Sequence, residues 1–286
     1  MQTTPVFGLS RPTFGSHLRA VWMITLNNWK HHWRYPLNAV SDLLQPLVWL
    51  APVYFMGQAF SVNGKAEGFA GYAGTDDYMS YIILGTALAN FIMAVFWGMG
   101  YSLKWDMDGG VLEANWMTPL PRPLMLVGRT FSNLVTTTLT SLGMILVASL
   151  VWGFHPTGNA LAAVLTVIPL LIGLYGFGFA FAALVMILRE ANTLVDSGSF
   201  LVQILSGANF PVTVLPKWLL PVSLVLPLTY GFDAVRGWLL KTHTLLPLNV
   251  EIIILVVSMF LMIFIGLRAF YALERRVRQK GTVGQY

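Results

Sequence analysis

Residues 104–122 read KWDMDGGVLEANWMTPLPR, a polar island between two long apolar segments. Lys104, Asp106, Asp108, Glu113 and Arg122 are gathered there, with adjacent glycines at 109 and 110 and prolines at 119 and 121. Hydrocarbon offers no partners for such groups, so the island is read as a loop at a membrane surface. Val111 to Thr118 has the content of a short helix, with Gly-Gly before it and proline after it. A short helix on a loop between membrane spans is a candidate handle by which a soluble partner moves the spans.

The rest of the chain agrees with a membrane setting. Of 286 residues, 56% are hydrophobic and 10% charged, and mean hydropathy is +0.67. A soluble domain carries about 25% charged residues, enough to cover a water-facing surface. The class is therefore an all-α polytopic membrane protein without room for a large soluble domain. Cysteine is absent, which excludes disulfides, thiolate metal sites and a cysteine nucleophile. The net charge of +5 is read as the lysine and arginine bias of cytoplasmic loops rather than as a nucleic-acid footprint. The first apolar run, residues 20–26, is too short for a secretory signal.

Outward from the island, the spans are placed at about 37–60, 78–103, 124–154, 161–188, 193–210 and 248–271, six in all. Before them, Leu18 to Arg34 alternates apolar and basic residues at helical spacing. Trp29, Lys30 and Arg34 mark a helix suited to lying in the interface plane, within a first segment 1–36. Pro46 and Pro52 predict a bend in span 1. Gly85 and Ala89, Gly98 and Gly100, Gly176 and Ala180, and Gly178 and Ala182 offer surfaces for close helix approach. The hydroxyls from Ser132 to Ser141 are read as bonding to their own helix carbonyls. Span 5 is unusually polar, with Asp196, Ser197, Ser199 and Gln203. Residues 211–241 are apolar but broken by Pro211, Pro216, Pro221 and Pro227, so no single helix spans them. A basic tail, 272–286, ends the chain.

Six spans put both termini on one side. That side collects thirteen of the 17 lysines and arginines, leaving Lys65, Lys217, Arg236 and Lys241 on the other, so the termini and the island are expected in the cytoplasm. No HExxH or Gly-x-Ser-x-Gly motif occurs, no carboxylate lies near His31-His32 in sequence, and Asn63-Gly64-Lys65 fails the phosphate-loop pattern. Asp42, Asp196 and Asp233 fall near predicted helix ends, a poor placement for a proton relay.

Two motifs resemble a known family. Gly110-Val-Leu-Glu113, Thr118-Pro119-Leu-Pro-Arg122 and Gly128-Arg129 resemble the cytoplasmic loop of ABC-2 type exporter permeases. Ser206-Gly-Ala-Asn-Phe-Pro211, Leu215-Pro216-Lys-Trp218-Leu219 and Leu226-Pro227-Leu-Thr-Tyr230 resemble that family's segment between spans five and six, where short helices re-enter from outside. The resemblance covers residues 15 to 275.

The resemblance implies a permease dimer, of this chain with itself or a close paralogue, in the plasma (inner) membrane and carrying two separately encoded ATPase subunits. ATP and magnesium would sit on that partner. No cofactor is implied on this chain, which would not be an enzyme by itself. Val111, Leu112, Glu113, Asn115, Trp116, Thr118 and Arg122 would form the coupling helix facing the ATPase, with Arg122 and Arg129 as interface anchors or phosphate-level contacts. Pro211, Pro216, Trp218, Leu219 and Pro227 would shape the re-entrant segment. The Trp29 to Pro36 stretch is similar to the drug- and antibiotic-export branch, which implies outward movement of a hydrophobic or amphipathic molecule. Trp49, Tyr54, Phe91, Phe96, Trp97 and Gln203 are the candidate path. Alternatives are export of a polysaccharide or lipid-linked glycan, and a secondary carrier without an ATPase.

Overall fold

The first helix, α1 (Phe14–Trp33), begins earlier than its hydrophobic pattern because the Thr13 hydroxyl caps it, accepting from the Ser16 amide at 3.3 Å. The computed structural model describes residues 13–60, 67–154, 156–188 and 191–279, and among them there are helices and no strands. Residues 1–12, 61–66, 189–190 and 280–286 and the side chains of Glu113 and Trp116, about which the sequence raised expectations, lie outside the described residues. Pro36 opens α2 (Pro36–Phe60), the helix position where a missing amide costs nothing, and Pro46 and Pro52 lie inside it.

After the short α3 (Glu67–Ala73), the Asp77 carboxylate caps α4 (Tyr78–Phe96), accepting from the Ser80 amide at 3.0 Å. Span 2 does not stop where its polarity begins. It runs on through a π-turn, Trp97–Tyr101, into α5 (Ser102–Asp108) as one helix of 31 residues. The reading of Lys104 to Asp108 as loop is thus corrected. Polarity ends the membrane, not the helix, and Lys104 pairs with Asp108 one turn on at 2.6 Å.

The remaining elements are α6 (Leu112–Trp116), α7 (Arg122–Trp152), α8 (Ala160–Leu188), α9 (Ala191–Leu205), a 3-10 turn at Val212–Val214, α10 (Leu220–Val225), α11 (Pro227–Leu240) and α12 (Leu248–Gln279). Among the described residues, five helices are long and apolar enough to cross a membrane: α2, the α4–α5 helix, α7, α8 and α12. Expected span 5, 193–210, is met by α9, a helix of only 15 residues, Ala191–Leu205. At 1.5 Å per residue that is about 22 Å against a hydrocarbon core of about 30 Å. In place of one long helix, residues 206–240 form short pieces, as the prolines foretold.

The α4 helix lies at the centre, packed on α7, α8, α9 and α11. The α2 helix instead has only 6% of its apolar window covered. Glycines report helix directions. Gly173 lies beside Met259, and Gly176 beside Met262 and Ile263, so α8 and α12 run parallel. Val195 lies beside Gly100, and Ala208 beside Gly85, so α9 runs antiparallel to α4. In the hydroxyl run, Thr136, Thr138 and Thr140 donate to carbonyls of their own helix at 3.2, 2.8 and 3.1 Å as expected, whereas Ser141 donates instead to the Ala87 carbonyl of α4 at 3.5 Å.

Candidate functional site

The polar island is built from the end of α5. Gly110, at φ +63, sits just past the helix. Its amide donates to the Met107 carbonyl at 3.1 Å, and the Val111 amide donates to the Asp106 carbonyl at 3.0 Å. These two bonds are a Schellman stop, which needs a left-handed residue that glycine adopts without strain. The α6 helix therefore leaves α5 in a defined direction. Leu112 turns inward, 2% exposed, into the cluster that holds Leu103, Met107 and Leu126.

Polar bonds close the island from above. Asp106 Oδ2 accepts from Arg129 Nη1 at 2.7 Å and from Asn115 Nδ2 at 3.1 Å. Arg129 Nη1 also lies 3.0 Å from Ser102 Oγ. The Thr118 hydroxyl donates to the Asn115 carbonyl at 2.7 Å. Arg122, at the start of α7, is ion-paired with Glu274 near the end of α12. Of the residues carried into the coupling set, then, Leu112 is core, Asn115 and Arg122 have partners within the chain, and Val111 and Thr118 are exposed. Sequence reasoning passed over two neighbours, Trp105 at 65% and Met117 at 85% exposure. Their signal was an apolar side chain in a polar stretch with no apolar face to join.

The α1 helix lies on α7 at the same end. The Thr25 hydroxyl donates to the Gly128 carbonyl at 2.9 Å. Trp29 is half-buried, its ring 5.5 Å from that of Trp33, while Lys30 is exposed and Arg34 caps the helix end. Phe14, Leu18 and Trp22 form an exposed apolar line along α1. The structure also corrects the reading of His31-His32 as remote from any carboxylate. The turn into α2 brings His32 Nε2 to 3.4 Å from Asp42 Oδ2. Among the described residues, no group of three or more His, Asp or Glu side chains gathers as metal ligands would.

The aromatic path residues are not brought together. Phe91 and Phe96 are core, with Phe96 stacked between Phe177 and Phe181 at 5.6 and 4.4 Å. Trp97 packs on Tyr101 at 4.7 Å. Trp49 is exposed on α2, and Tyr54 lies 5.8 Å from Trp152. The Gln203 carbonyl accepts from the Ala208 amide at 3.0 Å, part of a second Schellman stop with Gly207 at φ +69.

In the broken segment Pro211 precedes the 3-10 turn, and the Pro216 carbonyl accepts from the amides of Leu219 and Leu220. Trp218 is exposed, and Pro227 opens α11. The structural centre of this region is Arg236 of α11, which sequence reasoning counted only as a far-side charge. It is 1% exposed. It donates to the carbonyls of Tyr81 at 3.2 Å, Gly207 at 2.7 Å and Ala208, and lies 3.6 Å from the centre of the Tyr81 ring.

These features define a polytopic helical membrane protein with a braced polar cap at one end and a broken segment tied down at the other. Residues 19–240 match the ABC-2 type transporter family, and the chain belongs to it. It is 23% identical, over 82% of both chains, to the daunorubicin resistance ABC transporter permease protein DrrB1 of Streptomyces coeruleorubidus. It is 29% identical to the probable doxorubicin resistance ABC transporter permease protein DrrC of Mycobacterium tuberculosis, over 49% of this chain and 51% of that one.

Proposed function

We propose that this chain is the permease subunit of an ABC exporter, driven by a separate ATPase and moving a hydrophobic or amphipathic molecule outward. The observation that carries the reading is the exposed apolar trio Trp105, Val111 and Met117 on a braced polar cap. In a stretch too polar for hydrocarbon, exposed apolar side chains of this kind are suited to docking a soluble partner. The names of the two relatives, one for daunorubicin and one for doxorubicin resistance, support the cargo class.

Six crossings are the preferred count. Because α8 and α12 run parallel, the chain between them has to cross back, and α9 antiparallel to α4 is the start of that return. The pieces from 206 to 240 would make up the depth that α9 lacks, covered by protein as broken backbone requires. The termini are placed in the cytoplasm with the island. The ion pair between Arg122 and Glu274 and the packing of α1 on α7, which bring α1 and the last turns of α12 to the island, support that placement. Two permeases and two ATPases would make the working assembly, with α2, the least covered span, available for the contact between permeases.

An adjacent reading frame should encode an ATPase with a phosphate-binding loop. With both chains co-expressed, Met117→Asp is expected to cut ATPase recovery on the purified permease roughly tenfold, the effect of losing a central apolar anchor. The permease's own melting temperature should not move, since Met117 is 85% exposed. Full recovery of the ATPase by both Met117→Asp and Val111→Asp would remove the island from the docking surface.

A further inference from the structure

We propose that Asp106 is a positioning residue that locks α5, α6 and α7 into one rigid block, so that a push on α6 reaches the π-turn and α1 undiminished. The proposal rests on the reading of the island as the ATPase contact, and adds how the contact is transmitted.

Three independent restraints meet at this residue. The first is the main chain: the Asp106 carbonyl accepts the Val111 amide in the Schellman stop, which fixes where α6 begins. The second is the side chain. A single carboxylate oxygen, Oδ2, takes Arg129 of α7 at 2.7 Å and Asn115 of α6 at 3.1 Å, so one charge serves both elements. Arg129 reaches one turn further to Ser102 and so clasps the last turns of the α4–α5 helix. The third is the apolar layer beneath, where Leu103, Met107, Leu112 and Leu126 meet. The Asp106 side chain is 12% exposed and that of Arg129 23%, so the pair is part-buried and costs more to break than a fully exposed one.

The block has one added member and one soft boundary. Gly128, next to Arg129, lets α1 approach closely: a Cβ there would lie 3.1 Å from Ile24 Cγ2 and 3.2 Å from the Val21 carbonyl oxygen. The Thr25 hydroxyl then bonds the Gly128 carbonyl. On the membrane side the block ends at the π-turn Trp97–Tyr101, where the regular helix bonding is interrupted. Small residues there, Gly98 and Gly100, face Thr130 of α7 and Val195 of α9. A rigid lever below and an irregular turn above is the arrangement that converts a push at the surface into a tilt within the membrane.

The chain has no cysteine, so spin-label pairs can be placed without background. In the permease–ATPase complex, labels at Ala114→Cys of α6 and Phe131→Cys of α7 measure one helix against the other, without nucleotide and with trapped ATP. The expected result is one unchanged distance distribution in both states, and a broadened distribution once Asp106→Ala is added. Asp106→Ala should still bind the ATPase with native affinity, while ATP-driven daunorubicin uptake into inverted vesicles falls roughly tenfold. Asp106→Glu should recover part of it.

A distance that shifts on ATP binding with Asp106 intact overturns the proposal, and so does native uptake by Asp106→Ala. Should Asp106→Ala fail to fold, the two-state comparison with Asp106 present decides alone. Failure of the native chain to bind any ATPase is a separate result: it removes the functional reading beneath, and this proposal with it.

Discussion

Arg236→Met is expected to lower the melting temperature of the purified permease by about 5–15 °C, the shift that a loss of roughly 3–5 kcal/mol produces in a chain of this size. The guanidinium is fully enclosed, and its donors go to three backbone carbonyls from two distant parts of the chain, Tyr81 of α4 and Gly207 and Ala208 past α9. Methionine fills similar volume but donates nothing, so the three acceptors lose their arginine donors in a water-poor place, each at a cost of about 1–3 kcal/mol. Arg236→Lys keeps the charge but not the planar fork, and one ammonium cannot reach the same acceptors while lying over the Tyr81 ring. Its loss should fall between native and Arg236→Met. Thermal unfolding in detergent, followed by tryptophan fluorescence, reads the series. An Arg236→Met protein that melts with the native one would mean that the carbonyls find other donors and that the guanidinium is dispensable.

The contrast between Arg236 and the island shows which parts of the molecule were open to reading. Long apolar runs bounded by charge place five helices because each is a local property of about twenty residues. The Gly109-Gly110 stop is local too, and it stands where a helix ends. What failed at Lys104 was the equation of polarity with loop. Lys104 and Asp108 are spaced to pair along a helix, and a helix leaving the membrane continues as long as its backbone bonds are kept. The links that give the site its shape are not local at all. Asp106 meets residues 9 and 23 positions away, Arg122 meets one 152 away, and Arg236 one 155 away. Periodicity is silent on such pairs. The aromatics chosen for a path show the converse limit, because bulk at helical spacing suits packing as well as a lining, and Phe96 is packed between two other rings.

The small residues of span 4 do better, and they allow a sharp test three residues apart on one helix. Gly176→Ala is expected to destabilise the protein by about 1–3 kcal/mol, the usual cost of forcing atoms into a filled space. A Cβ at Gly176 would lie 2.5 Å from the Ile263 amide nitrogen and 2.7 Å from the Met262 carbonyl oxygen. Both belong to the backbone of α12, which cannot rotate aside as a side chain can, so the two helices would have to part. Gly266 repeats the constraint from the opposite side, since a Cβ there would run into the Gly176 carbonyl. Gly173 is the control. A Cβ at that position meets the Met259 Cα at 3.5 Å, an ordinary contact. Gly173→Ala should therefore be neutral or gain up to about 1 kcal/mol from the better helix former. Equal melting temperatures for Gly173→Ala and Gly176→Ala would show that α8 and α12 are not held at the backbone contact drawn here. A fall in Gly176→Ala alone would establish that backbone contact between α8 and α12.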